Sequence, residues 1–179
     1  MTIALEPVDV RGVDRGAVIE FLTAGPWPYH VRTRPTPEQV AGDIAGGRFD
    51  DAEALWVLAD GARIGLAVLE DVGDDTPTLD LRLASAARGR GSGLPVLRAV
   101  TDHLFRTHPT ARRFEAMTRE DNVPMRRVLL RAGFVKEAHH REGWPVEDGP
   151  ALASVGYAVL RRDWATGGRT PVDWDDLVI

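Results

Sequence analysis

The run Arg88-Gly89-Arg90-Gly91-Ser92-Gly93 carries the most chemistry in the chain, because it sits where a strand pattern gives way to a helical one. Its glycines let the backbone take φ > 0 and bring N–H groups close to a ligand. A helix opening behind them adds unpaired N–H donors and the positive end of its dipole, a combination that cradles a pyrophosphate. Two common phosphate loops are excluded by spacing. A Walker loop ends in Gly-Lys-Ser/Thr, whereas this chain continues Gly93-Leu94-Pro95. A dinucleotide fingerprint counted from Gly89 needs glycine where Leu94 stands.

Acid–base groups are fewer. Asp80 interrupts the alternation Leu79-Asp80-Leu81-Arg82-Leu83, which reads as a strand with an apolar and a polar face. Asp80 is either one half of a structural pair with Arg82 or a base and contact for a substrate ammonium. The loop Trp27-Pro28-Tyr29-His30 either stacks an acceptor on its aromatics or plugs the end of the core, and His30 could relay a proton. Tyr157 reads as core, and Glu115 and Glu120 as surface or capping acids. His139 and His140 would point oppositely in extended chain, a poor metal site, and no other spacing suggests a metal.

Composition narrows the class. At 179 residues the chain fits one domain of ~100–200 residues. With 44% hydrophobic and 27% charged residues it reads as globular rather than disordered. No apolar run approaches the ~18 residues of a membrane helix, and the first residues show no secretory signal, so a cytoplasmic protein without a membrane partner is expected. The lack of cysteine excludes disulfides, thiol nucleophiles and thiolate-bound zinc. A net charge of −5 and isolated arginine pairs argue against nucleic acid as a partner.

The elements that must position these groups alternate. Residues 2–10 read as a strand, followed by a helix to Leu22 with Asp14 as cap and Val13 and Val18 as a hydrophobic staple. Thr36-Pro37-Glu38-Gln39 is a capping box for a second helix ending at Gly46-Gly47. Residues 54–60 and 62–71 form a hairpin about Asp60-Gly61. The 79–84 strand, the glycine loop and a helix with apolar stripe Leu94, Leu97, Val100, Leu104 and Phe105 come next. A strand over 112–120 leads to a short helix capped by Asn122, with Met125, Val128, Leu129 and Ala132 on one face and Gly133 as its stop. A polar segment and a last strand over 151–164 complete the core, and 166–179 is a tail.

Two motifs together resemble the GNAT acetyltransferase superfamily. Arg88-x-x-Gly91-x-Gly93 matches its Arg/Gln-x-x-Gly-x-Gly/Ala loop. Asn122–Phe134 matches Asn-x-x-Ser/Ala-x-x-Leu-Tyr-x-x-x-Gly-Phe at Asn122, Gly133 and Phe134. The similarity spans about residues 3–165, and the ending GYAVLRRDW is similar to the branch of ribosomal-protein N-terminal and aminoglycoside acetyltransferases. It implies an α/β fold of α+β type: a single domain with a mixed, mostly antiparallel sheet splayed at the coenzyme strand and helices on both faces. It implies acetyl-CoA as co-substrate, held by Arg88, Gly89, Arg90, Gly91, Ser92, Gly93 and Leu94 at the pyrophosphate, by Leu81, Arg82 and Leu83 along the pantetheine arm, and by Asn122. Trp27, Tyr29 and His30 fall where the family builds its acceptor wall, and Asp80 is the candidate catalytic residue.

The departures bear on the acceptor. The family's tyrosine falls at Leu129, its small residue at Met125, and the glutamate some members carry falls at Met117. A thiol with pKa ~8.5 leaves without much help, so the missing acid is tolerable. An α-amine of pKa ~7.7–8.0 is partly neutral at pH 7 whereas lysine at ~10.4 is not. A base-poor site therefore favours direct attack, in a ternary complex, by a peptide α-amine or a weakly basic small-molecule amine. An aminoglycoside-type enzyme, fed by acids at 70–75 and 173–176, and a non-catalytic acyl-CoA sensor are the alternatives; a homodimer is left open.

Overall fold

The computed structural model describes residues 1–174. Seven strands form one sheet in the order β1-β2-β3-β4-β5-β7-β6, with β1 Ile3–Pro7, β2 Ala52–Ala59, β3 Ala62–Glu70, β4 Thr78–Leu83, β5 Arg113–Arg119, β6 Val135–Trp144 and β7 Leu152–Leu160. Every neighbouring pair is antiparallel except β4–β5. That one parallel pair needs a crossover, which the helix α3 (Gly93–Thr107) supplies.

Helices cover both faces, as expected. One face carries α3 and α4 (Val123–Arg131), whose Val96, Leu97, Leu104 and Leu129 pack on Leu55, Phe114 and Phe134. The other carries α1 (Arg15–Thr23) and α2 (Pro37–Ala45), which bury Val18, Leu22, Val40 and Ile44 against Trp56, Leu66 and Val68. The capping box of α2 is present: Thr36 accepts from Gln39 N–H and Gln39 reaches back to Thr36 N–H. Asp60 and Gly61, both with positive φ (49° and 84°), turn β2 into β3 with the hand that matches strand twist.

Four expectations are corrected. The first strand stops at Pro7, because Asp9 turns the chain by accepting from Gly12 and Val13 N–H. Asp14 does not cap α1 with its side chain, which instead accepts from Asp9 N–H; Val13, 91% exposed, staples nothing. The polar segment after Phe134 is the edge strand β6, hidden from hydrophobic periodicity because most of its residues are exposed or half-buried and two irregularities break its register. The last strand ends at Leu160, where α5 (Arg161–Thr166) begins; the Arg161 guanidinium satisfies the Phe105, His108 and Ala111 carbonyls at the end of α3.

Candidate active site

Strands β4 and β5 share a single register position, Thr78 with Glu115, and then part. The Pro77 carbonyl accepts from Glu115 N–H on the β5 side, while Ala84 N–H donates to Ile64 of β3. Backbone groups alternate between a strand's two edges, so Leu79, Leu81 and Leu83 present theirs toward β5. Leu81 and Leu83 do so where β5 has already diverged. The Leu83 carbonyl is taken by Arg88 Nε at 2.8 Å, leaving the Leu81 peptide groups and the Leu83 N–H facing the gap. Arg82 is a correction: its backbone is on the other edge, opposite Leu66 of β3, and cannot line the gap.

The glycine loop follows a 3-10 turn at Ser85–Ala87. Gly89 and Gly91 take φ of 70° and 82°, and a Cβ built on either would meet nothing within 4 Å. The loop is thus an open, positively curved backbone. Among the described residues, no turn or loop hydrogen bond uses the N–H groups of residues 89–94. Gly93 has a different reason to be glycine, since a Cβ there would come within 3.1 Å of Val128 Cγ2 and push α3 off α4. Ser92 is buried and its hydroxyl turns inward to the Ala87 carbonyl at 3.4 Å, so only its backbone faces the cradle. Arg90 is exposed beside the cradle. The Arg88 side chain points away from it: Nη1 donates to the Pro26 carbonyl at 3.0 Å, and its cation lies 4.9 Å from the Trp27 ring centre.

On the α1–α2 face, Asp80 is nearly buried among two arginines and a histidine. Arg48 Nη2 donates to Oδ2 at 2.8 Å, Arg82 Nη2 to the same oxygen at 3.2 Å, and His30 Nε2 lies 3.1 Å from Oδ1. Burial alone would raise the Asp80 pKa; Arg82, His30 and Arg48 together outweigh it and hold the carboxyl well below the ordinary carboxylate range. The polar face read from the alternation is therefore a covered ion cluster, with Arg82 itself only 9% exposed. A carboxylate held so firmly in its charged form is a poor proton acceptor, which corrects the reading of Asp80 as the base itself.

Tyr29 and His30 straddle the split. His30 contacts Asp80 on β4, while the Arg119 guanidinium of β5 lies 5.3 Å from the Tyr29 ring centre. Trp27 is corrected from acceptor contact to anchor: it is 3% exposed, its Nε1 donates to the Leu22 carbonyl at 2.7 Å, and it packs on Phe21. Farther along the same loop, Thr33 N–H donates to Glu147 of the β6–β7 connection at 3.1 Å, so two loops meet over this face. Across the split Met117 is 38% exposed, next to Gly156, whose missing side chain makes room for its sulfur.

Asn122 caps α4, accepting from Met125 N–H at 3.3 Å, while its amide donates to Thr118 Oγ1 at 2.9 Å. Leu129 is fully buried, and Met125 packs on the same core. Tyr157 is core as expected, its hydroxyl accepting from Arg126 Nε at 3.0 Å. Among the described residues no group of three or more His, Cys, Asp or Glu could hold a metal. Sequence reasoning missed Arg48 and Arg119. Arg48 lies in a short connection after Gly46-Gly47 with no motif around it, and only the fold brings it to Asp80.

The sheet opens at its one parallel pair, and a glycine loop with two positive-φ residues stands at the mouth of the opening. The model of the Acetyltransferase (GNAT) domain matches residues 5–135, and the chain belongs to this family of acetyltransferases. Solved structures share the fold at low identity. A spermidine N-acetyltransferase from Vibrio cholerae, in complex with CoA and spermine, superposes with a TM-score of 0.74 at 16% identity, over 91% of this chain and 98% of its own. Mycobacterium smegmatis RimJ, in complex with CoA-disulfide, gives 0.71 at 23% identity over 90% and 83%. The aminoglycoside acetyltransferase AAC(6')-Ib, in complex with coenzyme A, gives 0.71 at 17% identity over 92% and 98%. No curated protein matches the sequence.

Proposed function

We propose that this protein transfers an acetyl group from acetyl-CoA to a single, weakly basic primary amine, such as a peptide α-amine or a small-molecule monoamine. The observation that carries the reading is the split after Thr78–Glu115, with the Leu81 peptide groups unpaired inside it and the open 89–94 backbone at its mouth. These residues fit the coenzyme: Gly89 to Leu94 offer N–H groups to a pyrophosphate, and the β4 edge offers peptide groups to an extended amide-bearing arm. Bound there, acetyl-CoA supplies an activated thioester carbonyl. The Leu81 N–H is the donor that faces charge developing on the carbonyl oxygen.

The remaining chemistry is proton removal from the amine. His30 is the group for it. Asp80, fixed as an anion, accepts from His30 Nε2–H and sets the tautomer that leaves Nδ1 as the base. Arg82 and Arg48 keep Asp80 charged while His30 takes up a proton.

The acceptor class follows from the acids. Asp80 is held by Arg48, Arg82 and His30, Glu115 is paired with Arg113, and Glu147 is held by Thr33. Glu70 shares Arg48 with Asp80, 3.9 Å from its guanidinium, and Asp71 to Asp75 follow in the β3–β4 turn, at the opposite end of β4 from the glycine loop. Asp173 is described and has a partner, whereas Asp175 and Asp176 lie outside the described residues. With its acids committed, this face suits one ammonium better than the several of a polyamine or an amino sugar.

Thiol release from acetyl-CoA, measured against peptides, polyamines and amino sugars, tests the reading. Turnover highest with α-amines, and reduced ~10²-fold or more in His30→Gln at unchanged CoA affinity, is expected. Preference for polycations would overturn the acceptor class, and CoA binding without any turnover would favour a sensor.

A further inference from the structure

Arg88 belongs to two parts of the molecule at once. Its backbone opens the glycine loop, one residue before Gly89 turns into positive φ. Its guanidinium leaves that loop and is consumed elsewhere: Nε on the Leu83 carbonyl at 2.8 Å, Nη1 on the Pro26 carbonyl at 3.0 Å, and its cationic face on Trp27. Planar, forked donors hold such a geometry far better than a single ammonium would. The Leu83 bond fixes the guanidinium to the end of β4, so the Pro26 bond ties the loop after α1 to the same point.

That loop is the one read above as the acceptor wall. Trp27 N–H donates to the Thr33 carbonyl at 2.8 Å, and the Trp27 carbonyl accepts from His30 N–H at 3.0 Å. The Trp27 ring also stands edge-on to His30, centroids 6.2 Å apart. Whatever holds Trp27 therefore holds the turn that presents Tyr29 to Arg119 and His30 to Asp80. Among the described residues, only Arg88 joins that turn to the phosphate loop through a side chain of the loop itself.

Resting on the acetyl-CoA reading above, we infer that Arg88 is a positioning residue that couples the coenzyme cradle to the acceptor wall, and that its side chain is not a phosphate ligand. A pyrophosphate seated on residues 89–94 restrains the Arg88 backbone, and the guanidinium passes that restraint to Pro26 and Trp27. The coupling is reciprocal, so an acceptor that orders the 27–30 turn also tightens coenzyme binding.

Coenzyme A alone is a sufficient probe. In the wild-type protein, saturating CoA should slow hydrogen exchange at the Trp27 and His30 amides by ~5-fold or more, the lower range of such couplings. In Arg88→Gln the CoA dissociation constant from calorimetry should stay within ~3-fold while the slowing at those amides is lost. Arg88→Lys keeps the charge and can reach one of the two carbonyls; it should restore part of the slowing, and it replaces Arg88→Gln if that variant does not fold. A ~10-fold or greater loss of CoA affinity in the Lys variant would show that the guanidinium contacts the coenzyme and overturn the inference. Wild-type protein that binds CoA without slowing exchange at 27–30, or an Arg88→Gln variant that keeps the slowing, would overturn it too. Wild-type protein that fails to bind CoA would instead overturn the acetyl-CoA reading.

Discussion

Replacing Asp80 with asparagine removes one charge and almost no volume, and it separates a structural from a catalytic share in the same residue. Arg82 is 9% exposed, and Asp80 is its partner in the ion pairs of the fold. Leaving such a cation unpaired costs ~3–5 kcal/mol. The asparagine oxygen still accepts one hydrogen bond, which places the expected loss near ~3 kcal/mol. For a chain of this size each kcal/mol lowers Tm by ~2–4 °C, so Asp80→Asn should melt ~6–12 °C below wild type. The pH dependence has a definite sign. The folded pKa of Asp80 is depressed, so its contribution is complete above the unfolded value of 3.8 and is lost as pH falls through the folded one. The Tm difference should hence narrow as pH falls below ~4. Calorimetry as pH is lowered, with thiol release measured on the folded fraction at 20 °C, reads both shares. Melting within 1–2 °C of wild type at pH 7 would refute the ion-cluster reasoning outright. Turnover unchanged in the folded fraction would leave Asp80 a purely structural residue and remove its hold on His30.

Two more substitutions probe the cradle and the lost tyrosine. Gly91→Val puts a β-branched residue at φ 82° and fills the open side of the loop, so CoA affinity should fall by ~10²-fold or more by calorimetry while the fold persists; unchanged affinity would remove the phosphate from this loop. Leu129→Tyr places a larger, polar side chain at a fully buried site of α4, so it should cost ~1–3 kcal/mol in urea unfolding without raising turnover tenfold. A hundredfold gain would show that protonation of the leaving thiolate limits the reaction.

What was legible in the sequence was whatever local pattern decides. The glycine loop, the capping box at Thr36 and the cap at Asn122 are set by a few consecutive residues, and each stands where its chemistry puts it. The strand over Val135–Trp144 was not legible, because an edge strand needs no apolar face once one side meets solvent. Asp80 was legible as an anomaly, with a pair to Arg82 and a base both open, and the pair is present. Its partners His30 and Arg48 come from 50 and 32 residues away, and no spacing rule connects them. Trp27 shows the same limit: an aromatic in a loop looks like a binding surface until the fold places Leu22 and two arginines around it.

The apolar residue at Met117 then acquires a physical meaning. The family pattern offers that position on β5 to a glutamate, which would remove the amine's proton from one side of the split. Here the β5 side is a thioether beside glycine, and Asp80 on β4 is locked by arginines. On the reading proposed above, proton removal comes from a group on neither strand. The Tyr29–His30 turn is placed to supply one, since it bridges the strands from above and rests on both. If the turn acts so, the site depends on how firmly the turn is held, and the inferred coupling through the Arg88 bond to Pro26 then bears on the chemistry as well as the fold. The proposed single-ammonium acceptor rests on the same arrangement: among the described residues, Asp80, Glu115 and Glu147 each already fix a cation or a loop.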